Sequence, residues 1–300
     1  MEMKGRYFIL FWLFSAFFCG CQKEINVKLP DYEKKLVVEG FVVNGGHPTV
    51  ILTRSISYLS DINVDTLINN ILVNDAVITV VSSKGEVDTL KYRISDDSPI
   101  MFAYVAENMM GEFGVDYDLN IEWRGKTYTS KTSVLYPFQL DSTWLAFHGD
   151  SSATIRIKLT DDPAKTDYYH FSVKVYCEKF TDKQWVTSIP VAFDDGTFNG
   201  QSFNYEIMRG NPSLLFMPEM SDEEKSEFTR MTFRPGDTVV LRSSAIDYNS
   251  YQFWSSAGSD IIFGQNPFLS PAPIISNIKG ENVLGVWCGF AAQYDTLVFH

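Results

Sequence analysis

The feature that most constrains this chain is a succession of short strand-like segments, each bounded by turn residues. Residues 36–43 are an apolar run, the sequence NGGHP at 44–48 forms a tight turn, and residues 49–53 return as a second apolar run. Residues 117–123 and 168–176 place an apolar side chain at every second position, which is typical of a half-buried strand. Because such segments recur with glycine-containing turns and without a long helical pattern, the sequence predicts a mainly β protein.

Length and composition fit two β domains. The chain has 300 residues, of which 45% are hydrophobic and 15% aromatic, and aromatic side chains pack well on a pleated sheet. We predict an N-terminal Ig-like or transthyretin-like β-sandwich at 33–136 and a second antiparallel β domain at 139–300. Two short helices are expected in the second domain. One begins with a capping box at 221–224, and one covers 247–256, where aromatic residues recur at three-residue spacing.

The first residues have the layout of a secretory signal. Two basic residues precede an apolar run at 7–19, which is shorter than the roughly 20 residues that a membrane-spanning helix needs. The run is followed by Gly20 and Cys21, and a small residue before a cysteine resembles the lipobox of bacterial lipoproteins. The resemblance implies that residues 1–20 are a signal peptide and that Cys21 is lipidated. The alternative is an ordinary signal peptide with an incidental cysteine.

The expected location of the protein follows from this lipid. A diacylglyceryl group on Cys21 would anchor the chain to a membrane, with the polar residues 21–32 as a tether. Lys23 and Glu24 resemble the surface-export signals of some Gram-negative lipoproteins. We therefore expect a lipid-anchored protein of the cell outer membrane that is exposed at the surface. The net charge of −12 repels phosphate backbones, so no nucleic-acid partner is expected.

Two cysteines remain in the predicted mature chain besides Cys21. Outside the cytoplasm Cys177 and Cys288 can form a disulfide, and the alternative is two buried thiols, because cysteine packs as a small hydrophobic residue. The sequence leaves both alternatives open. It contains no CxxC motif and no Cys/His cluster, so neither a metal site nor another cofactor is expected.

Motifs that would indicate catalysis are weak. Residues 149–151 (GDS) are similar to the nucleophile block of lipase-type esterases, and Asp167 with His170 is similar to their Asp-His block. Those enzymes are α/β proteins with the blocks far apart, so we interpret 149–151 as a turn and His170 as a strand residue. Hydrolase chemistry would require distant acidic residues to converge in a cleft. Residues 61–65 begin like a calcium loop but lack its glycine and glutamate, which indicates a polar loop.

One aromatic segment is a candidate contact patch. Rigid aromatic side chains supply large contact areas at a small loss of conformational entropy, so the segment is a possible ligand platform or docking surface. The alternative is that these side chains belong to the core. The candidate residues are Tyr248, Tyr251, Trp254, Phe263 and Phe268.

Short motifs in a fixed order resemble one protein family. They are LVVEG at 36–40, GKTY at 125–128, LDS at 140–142, DYY at 167–169, PGD at 235–237, NPF at 266–268 and NIKGENVLG at 277–285. Together they resemble the lipoprotein family catalogued as domain of unknown function 4249, over roughly 22–295. The resemblance implies a surface or periplasmic lipoprotein, often encoded beside a TonB-dependent outer-membrane transporter. It implies no activity and no catalytic residue.

We therefore expect a non-enzymatic accessory or ligand-binding lipoprotein that works with a TonB-dependent transporter. The alternative is a structural or adhesive surface protein that binds extracellular polymers. The sequence does not identify a ligand for either function.

Overall fold

The computed structural model describes the chain from residue 34 onward, with gaps. The described ranges are 34–55, 71–94, 102–178, 181–182, 184–210, 226, 230–263 (backbone only for 259–263) and 273–300. The predicted signal peptide, the tether and Cys21 lie outside these ranges, as do the loop at 61–65, the capping box at 221–224 and Phe268. No helix within the described ranges has both the length and the apolarity to span a membrane.

The described residues form fourteen strands and one long helix, so the mainly β class is confirmed. The strands are β1 Leu36–Val43, β2 Thr49–Arg54, β3 Val77–Ser82, β4 Val87–Ile94, β5 Phe102–Val105, β6 Val115–Trp123, β7 Lys126–Val134, β8 Ser142–Phe147, β9 Ala153–Thr160, β10 Tyr168–Tyr176, β11 Val186–Asp194, β12 Ser202–Arg209, β13 Thr238–Ala245 and β14 Val283–Val298. The helix, α1, covers Tyr248–Phe263 between β13 and β14. Of the two predicted helices it corresponds to the second, and it continues past the expected end at 256.

All fourteen strands belong to one hydrogen-bonded order, and Lys34–His300 forms one compact unit. The order is β7-β6-β3-β4-β5-β2-β1-β14-β13-β10-β11-β12-β9-β8. Neighbours are antiparallel except at the centre, where β14 pairs in parallel with β1 over Val283–Phe290. The second half of β14, Ala291–Val298, pairs antiparallel with β13. The last strand therefore joins the strands of the predicted N-terminal domain to those of the predicted second domain.

The hydrophobic core contains a separate cluster for each of these two groups of strands. One cluster is built on strands β1–β7 and a second on β9–β13, but the first also contains Trp287 of β14. Trp287 is fully buried, and its indole Nε1 donates a hydrogen bond to the Tyr117 carbonyl at 2.9 Å. Its ring lies on Gly40 of β1, where an added Cβ would be 2.6 Å from Trp287 Cε3. Only glycine allows this close approach between β1 and β14.

Strand β10 is covered on both faces. Its alternating apolar residues Tyr169, Phe171, Val173 and Val175 belong to the second cluster, as the sequence pattern predicts. The opposite face of the strand carries polar side chains that are also buried, among them His170. Since buried polar groups need hydrogen-bond partners, this second face is unusual for a core strand.

Helix α1 lies against that polar face and is positioned by its N-cap. Asp247 Oδ1 accepts a hydrogen bond from the Ser250 amide at 2.9 Å, which is the usual role of an N-cap side chain. The other carboxylate oxygen accepts hydrogen bonds from the Thr132 hydroxyl and the Ser133 amide of β7. The cap therefore attaches the start of α1 to a strand more than a hundred residues earlier in the chain.

Candidate functional site

A cavity of about 340 Å³ lies where β1 and β14 meet the polar face of β10 and β13 beneath α1. Its volume is in the range of small-molecule sites, which are roughly 300–1,000 Å³. The walls combine aromatic rings with a few charged side chains, and these come from both groups of strands. Its main lining side chains are Glu39, Phe41, His170, Lys174, Trp185, Arg242, Trp254, Phe290 and Tyr294.

Arg242 of β13 is the central charged group of the cavity. It is only 7% exposed, and its Nε donates a hydrogen bond to the Ser172 hydroxyl at 2.8 Å. Its guanidinium carbon lies 4.8 Å from the Trp185 ring centroid and 4.6 Å from that of Phe290. Within the described residues no carboxylate pairs with it, and burial lowers its pKa to about 10. The guanidinium is therefore held in position, and no carboxylate in the described part of the chain neutralises its charge.

A second cation, Lys174 of β10, lies beside the same aromatic ring. Its Nζ is 5.2 Å from the Trp185 ring centroid, and Trp185 is in turn 5.6 Å from Tyr294, centroid to centroid. Burial and the nearby charge of Arg242 both lower the pKa of Lys174. Two like charges held this close favour an anion between them, because an anion removes their mutual repulsion.

His170 and Trp254 form a further part of the cavity wall, next to Phe290. The His170 ring lies 5.0 Å from Trp254 and 5.1 Å from Phe290, and the residue is 1% exposed. Among the described residues, neither His170 ring nitrogen has a hydrogen-bond partner, whereas the Trp254 side chain interacts with the Cys288 thiol. Burial, followed by the charge of Arg242, sets the pKa of His170 well below 6.5. The imidazole is therefore neutral at physiological pH, with one donor and one acceptor nitrogen.

The β-ladder is irregular at this point. The pairing of β10 with β11 changes register between His170 and Ser172, so that β11 contains extra residues opposite a short stretch of β10. Bulges of this kind are over-represented next to functional sites because they redirect side chains. The irregularity lies beside Thr187, which also lines the cavity.

Glu39 of β1 is the one carboxylate in the described lining. It pairs in register with Ile51 of β2 and with Val286 of β14. Its side chain reaches solvent, yet the surrounding protein desolvates the carboxyl and raises its pKa. The cavity therefore contains more positive than negative charge, in a chain whose net charge is −12.

A second cavity, of about 380 Å³, lies between β2, β4 and the end of β6. Asp75 in its wall accepts a hydrogen bond from the Trp123 indole at 2.7 Å, so that carboxylate already has a partner. Arg54, Ile94 and Phe102 in its walls are at or next to the ends of described ranges, so the structure describes this cavity less completely than the first. We therefore take the first cavity as the candidate site.

The predicted aromatic patch is divided by the structure. Trp254 lines the cavity, while Tyr251 packs on Tyr168 with a ring separation of 4.8 Å and donates a hydrogen bond to Asp194 at 2.7 Å. Burial and this hydrogen bond raise the pKa of Tyr251 to about 12. Tyr248 is 52% exposed. The side chain of Phe263, like Phe268, is outside the described residues.

Cys177 and Cys288 are both present as thiols, and the geometry of the sheet keeps them apart. Cys177 follows Tyr176, which is level with Thr238 of β13 and therefore with Val298 of β14. Position 288 is about 30 Å from position 298 along an extended strand, whereas a disulfide needs Cα atoms within roughly 7 Å. The disulfide alternative does not hold in this structure. Cys288 is buried, and burial raises its pKa to about 12.

The esterase-like blocks are not brought together. Gly149 has a φ of +74° in the turn between β8 and β9, and Asp150 and Ser151 in that turn are exposed. His170 lies in β10, with β11 and β12 between it and β9. The interpretation of 149–151 as a turn and of His170 as a strand residue agrees with this arrangement. Within the described ranges, no group of three or more His, Cys, Asp or Glu side chains is placed to hold a metal ion.

The most important cavity residues were not candidates at the level of sequence. Glu39, Lys174 and Arg242 each occupy a strand position that a sequence pattern interprets as solvent-facing. The one indication in the sequence is that polar residues alternate with apolar ones on β10. This pattern predicts a solvent-facing polar side unless another layer covers that face of the strand. Helix α1 supplies that layer.

Taken together, these features define a β-rich protein with a partly open, cation-lined cavity of ligand size. The family model described as "Domain of unknown function (DUF4249)" matches residues 22–294, so the chain belongs to this family. No curated protein matches the chain. Among solved structures, the chicken interferon gamma receptor alpha chain matches at 9% identity over 71% of this chain and 89% of that chain. The TM-score of that match is 0.17, and at this level the likeness carries no argument about fold or function.

Proposed function

We propose that this chain is a non-enzymatic ligand-binding lipoprotein of the outer membrane that works with a TonB-dependent transporter. The observation that carries the proposal is the cavity under α1, in which Arg242 is held in position and pairs with no carboxylate among the residues that the structure describes. A charge fixed in this way suits recognition, because its orientation has been set before the ligand arrives. The family resemblance contributes the transporter as the proposed partner.

The proposed anchor is the lipid on Cys21. In this proposal residues 1–20 are removed, and 21–32 connect the lipid to the compact unit that begins at Lys34. The tether would display the cavity at the cell surface beside the outer-membrane transporter. Two acyl chains are enough for stable anchoring, so no further membrane contact is needed.

The finer architecture is also part of the proposal. Residues 33–136 would form an Ig-like or transthyretin-like sandwich and residues 139–300 the second β domain, with a second short helix near 221–224. The separate hydrophobic clusters of the two strand groups support this division. The two domains would share β14, which places the cavity at their junction.

Cross-linking in whole cells followed by affinity purification tests this function. Tagged wild-type protein is expected to enrich a TonB-dependent transporter, relative to a tagged outer-membrane lipoprotein of another family. The Cys21→Ala variant is expected to lose both palmitate labelling and this enrichment. Cross-linked material that contains no transporter, or a Cys21→Ala variant that is still labelled and membrane-bound, would contradict the proposal. Retention of the wild type on glycan or matrix-protein arrays without a transporter would favour the adhesive alternative.

A further inference from the structure

The cavity contains an excess of hydrogen-bond donors that no described residue uses. The Nε of Arg242 donates a hydrogen bond to the Ser172 hydroxyl, and its two terminal nitrogens make no hydrogen bond to a described residue. The ring nitrogens of His170, which lies in the cavity wall, also have no hydrogen-bond partner among the described residues. Buried polar groups in folded proteins are nearly always satisfied, so donors that face one cavity are available to an acceptor group on a ligand.

The groups around Arg242 favour a carboxylate over a phosphate as the acceptor on the ligand. A guanidinium presents its free nitrogens as a planar fork, which matches the two oxygens of a carboxylate. Lys174 lies beside the same Trp185 ring as Arg242, at 5.2 Å and 4.8 Å from the ring centroid respectively, so one anion can interact with both cations. Glu39 lines the same cavity and would repel a doubly charged phosphate more strongly than a singly charged carboxylate.

The remaining walls determine the shape of the ligand body. The Trp185 and Tyr294 rings lie 5.6 Å apart beside the two cations, and Trp254, His170 and Phe290 supply further aromatic wall. Flat aromatic walls pack well against a flat apolar body. We propose that the cavity binds a small organic carboxylate with a planar apolar body, whose carboxylate pairs with Arg242 and Lys174. This inference rests on the proposed ligand-binding function and specifies its ligand class.

Binding of three probes to the full chain in detergent tests the inference. Phenylacetate carries the proposed group, phenylacetamide is its neutral counterpart, and phenylphosphonate carries the more highly charged alternative. Calorimetry is expected to show that phenylacetate binds about 10- to 100-fold more tightly than phenylacetamide, the effect of a charge-assisted hydrogen bond. Equal affinities for these two probes, no binding of phenylacetate at millimolar concentration, or tighter binding of phenylphosphonate would each overturn the inference.

Matched variants locate the effect. Arg242→Met removes the charge while keeping a similar volume, and it is expected to abolish the preference for phenylacetate. Arg156→Met removes an exposed arginine of β9 outside the cavity and is expected to leave the preference unchanged. If Arg242→Met does not fold, Lys174→Met is expected to weaken phenylacetate binding about tenfold with phenylacetamide unaffected. A preference retained in the folded cavity variants would overturn the inference.

The outcome of the probe-binding experiment does not depend on whether a transporter is the partner of this protein. Selective binding of phenylacetate without any cross-linked transporter would refute the proposed partner and leave the ligand class standing. A cross-linked transporter together with a cavity that does not distinguish phenylacetate from phenylacetamide would do the reverse.

Discussion

At the scale of single residues, His170 is a polar residue of a β-strand whose side chain is buried in the wall of the cavity. Its imidazole has no described hydrogen-bond partner, and it packs between Trp254 and Phe290. Burial lowers its pKa first, and the positive charge of Arg242 lowers it further. Just below pH 6.5, His170 therefore stays unprotonated in the folded state, whereas the same histidine binds a proton in the unfolded chain.

This difference predicts a pH-dependent loss of stability. An unfolded histidine binds its proton as the pH falls through about 6.5, whereas His170 in the folded protein stays neutral until well below that value. The folded state is therefore destabilised as the pH falls below 6.5, by at most about 1.4 kcal/mol per pH unit from this group. We expect the difference in free energy of unfolding between wild type and His170→Gln to narrow at that rate, measured by urea unfolding from pH 7.5 downward.

The control is His300→Gln, which removes an exposed histidine at the end of the chain. Its difference from wild type is expected to stay nearly constant with pH. A His170→Gln difference that is equally constant would contradict the account, because it would show that His170 binds its proton over the same pH range in the folded and unfolded states.

At the scale of elements, helix α1 determines whether the cavity exists. It covers the polar face of β10, and its first turn is attached to β7 through Asp247. The helix is predicted at 247–256 from the spacing of its aromatic residues, and this prediction identifies its start well. Its extension to 263 is missed because residues 257–263 have no comparable periodic pattern.

Removing the N-cap is expected to loosen this cover. Asp247→Ala deletes the acceptor for the Ser250 amide and for the Thr132 hydroxyl, and N-cap loss costs about 0.5–2 kcal/mol. We expect a lower free energy of unfolding in urea, together with faster amide exchange in α1. Asp150→Ala in the exposed β8–β9 turn is the control and is expected to change neither. Unchanged exchange in α1 of Asp247→Ala would argue against the cap.

Strand pairing was predictable only in part. Residues 168–176 alternate with a period of two, so this strand and its apolar face follow from the sequence. Residues 36–43 are an apolar run before a turn, which predicts the strand but not which of its faces is buried. The pairing of β1 with β14 does not follow, because it joins residues about 250 positions apart and no local pattern records it. The cavity is missed for the same reason, since Glu39 and Arg242 come together only through that pairing.

At the scale of the whole molecule, β14 connects the group of strands β1–β7 to the group β8–β13. Its first half completes the sheet beside β1, and its second half continues the sheet to β13. It also supplies the fully buried Trp287 to the first hydrophobic cluster and Leu297 to the edge of the second. Each group of strands therefore depends on the last strand of the chain.

Truncation tests this dependence. A chain of residues 34–282 lacks β14 and is expected to lose cooperative unfolding and its near-ultraviolet circular dichroism signal, because both clusters are opened. A chain of residues 34–300 keeps the whole compact unit and is expected to unfold cooperatively. A cooperative transition in the fragment 34–136 would show that the first group of strands folds without β14.

The central claim is that the cavity at the junction of β1, β10, β13 and β14 is the place where this protein binds its ligand. The most direct measurement is the anomalous scattering of iodine in crystals of the full chain soaked with 4-iodobenzoate. We predict an iodine peak inside the cavity, with the carboxylate toward Arg242, and no such peak in crystals of Arg242→Met. Iodine peaks confined to the outer surface, with the wild-type cavity empty, would contradict the account.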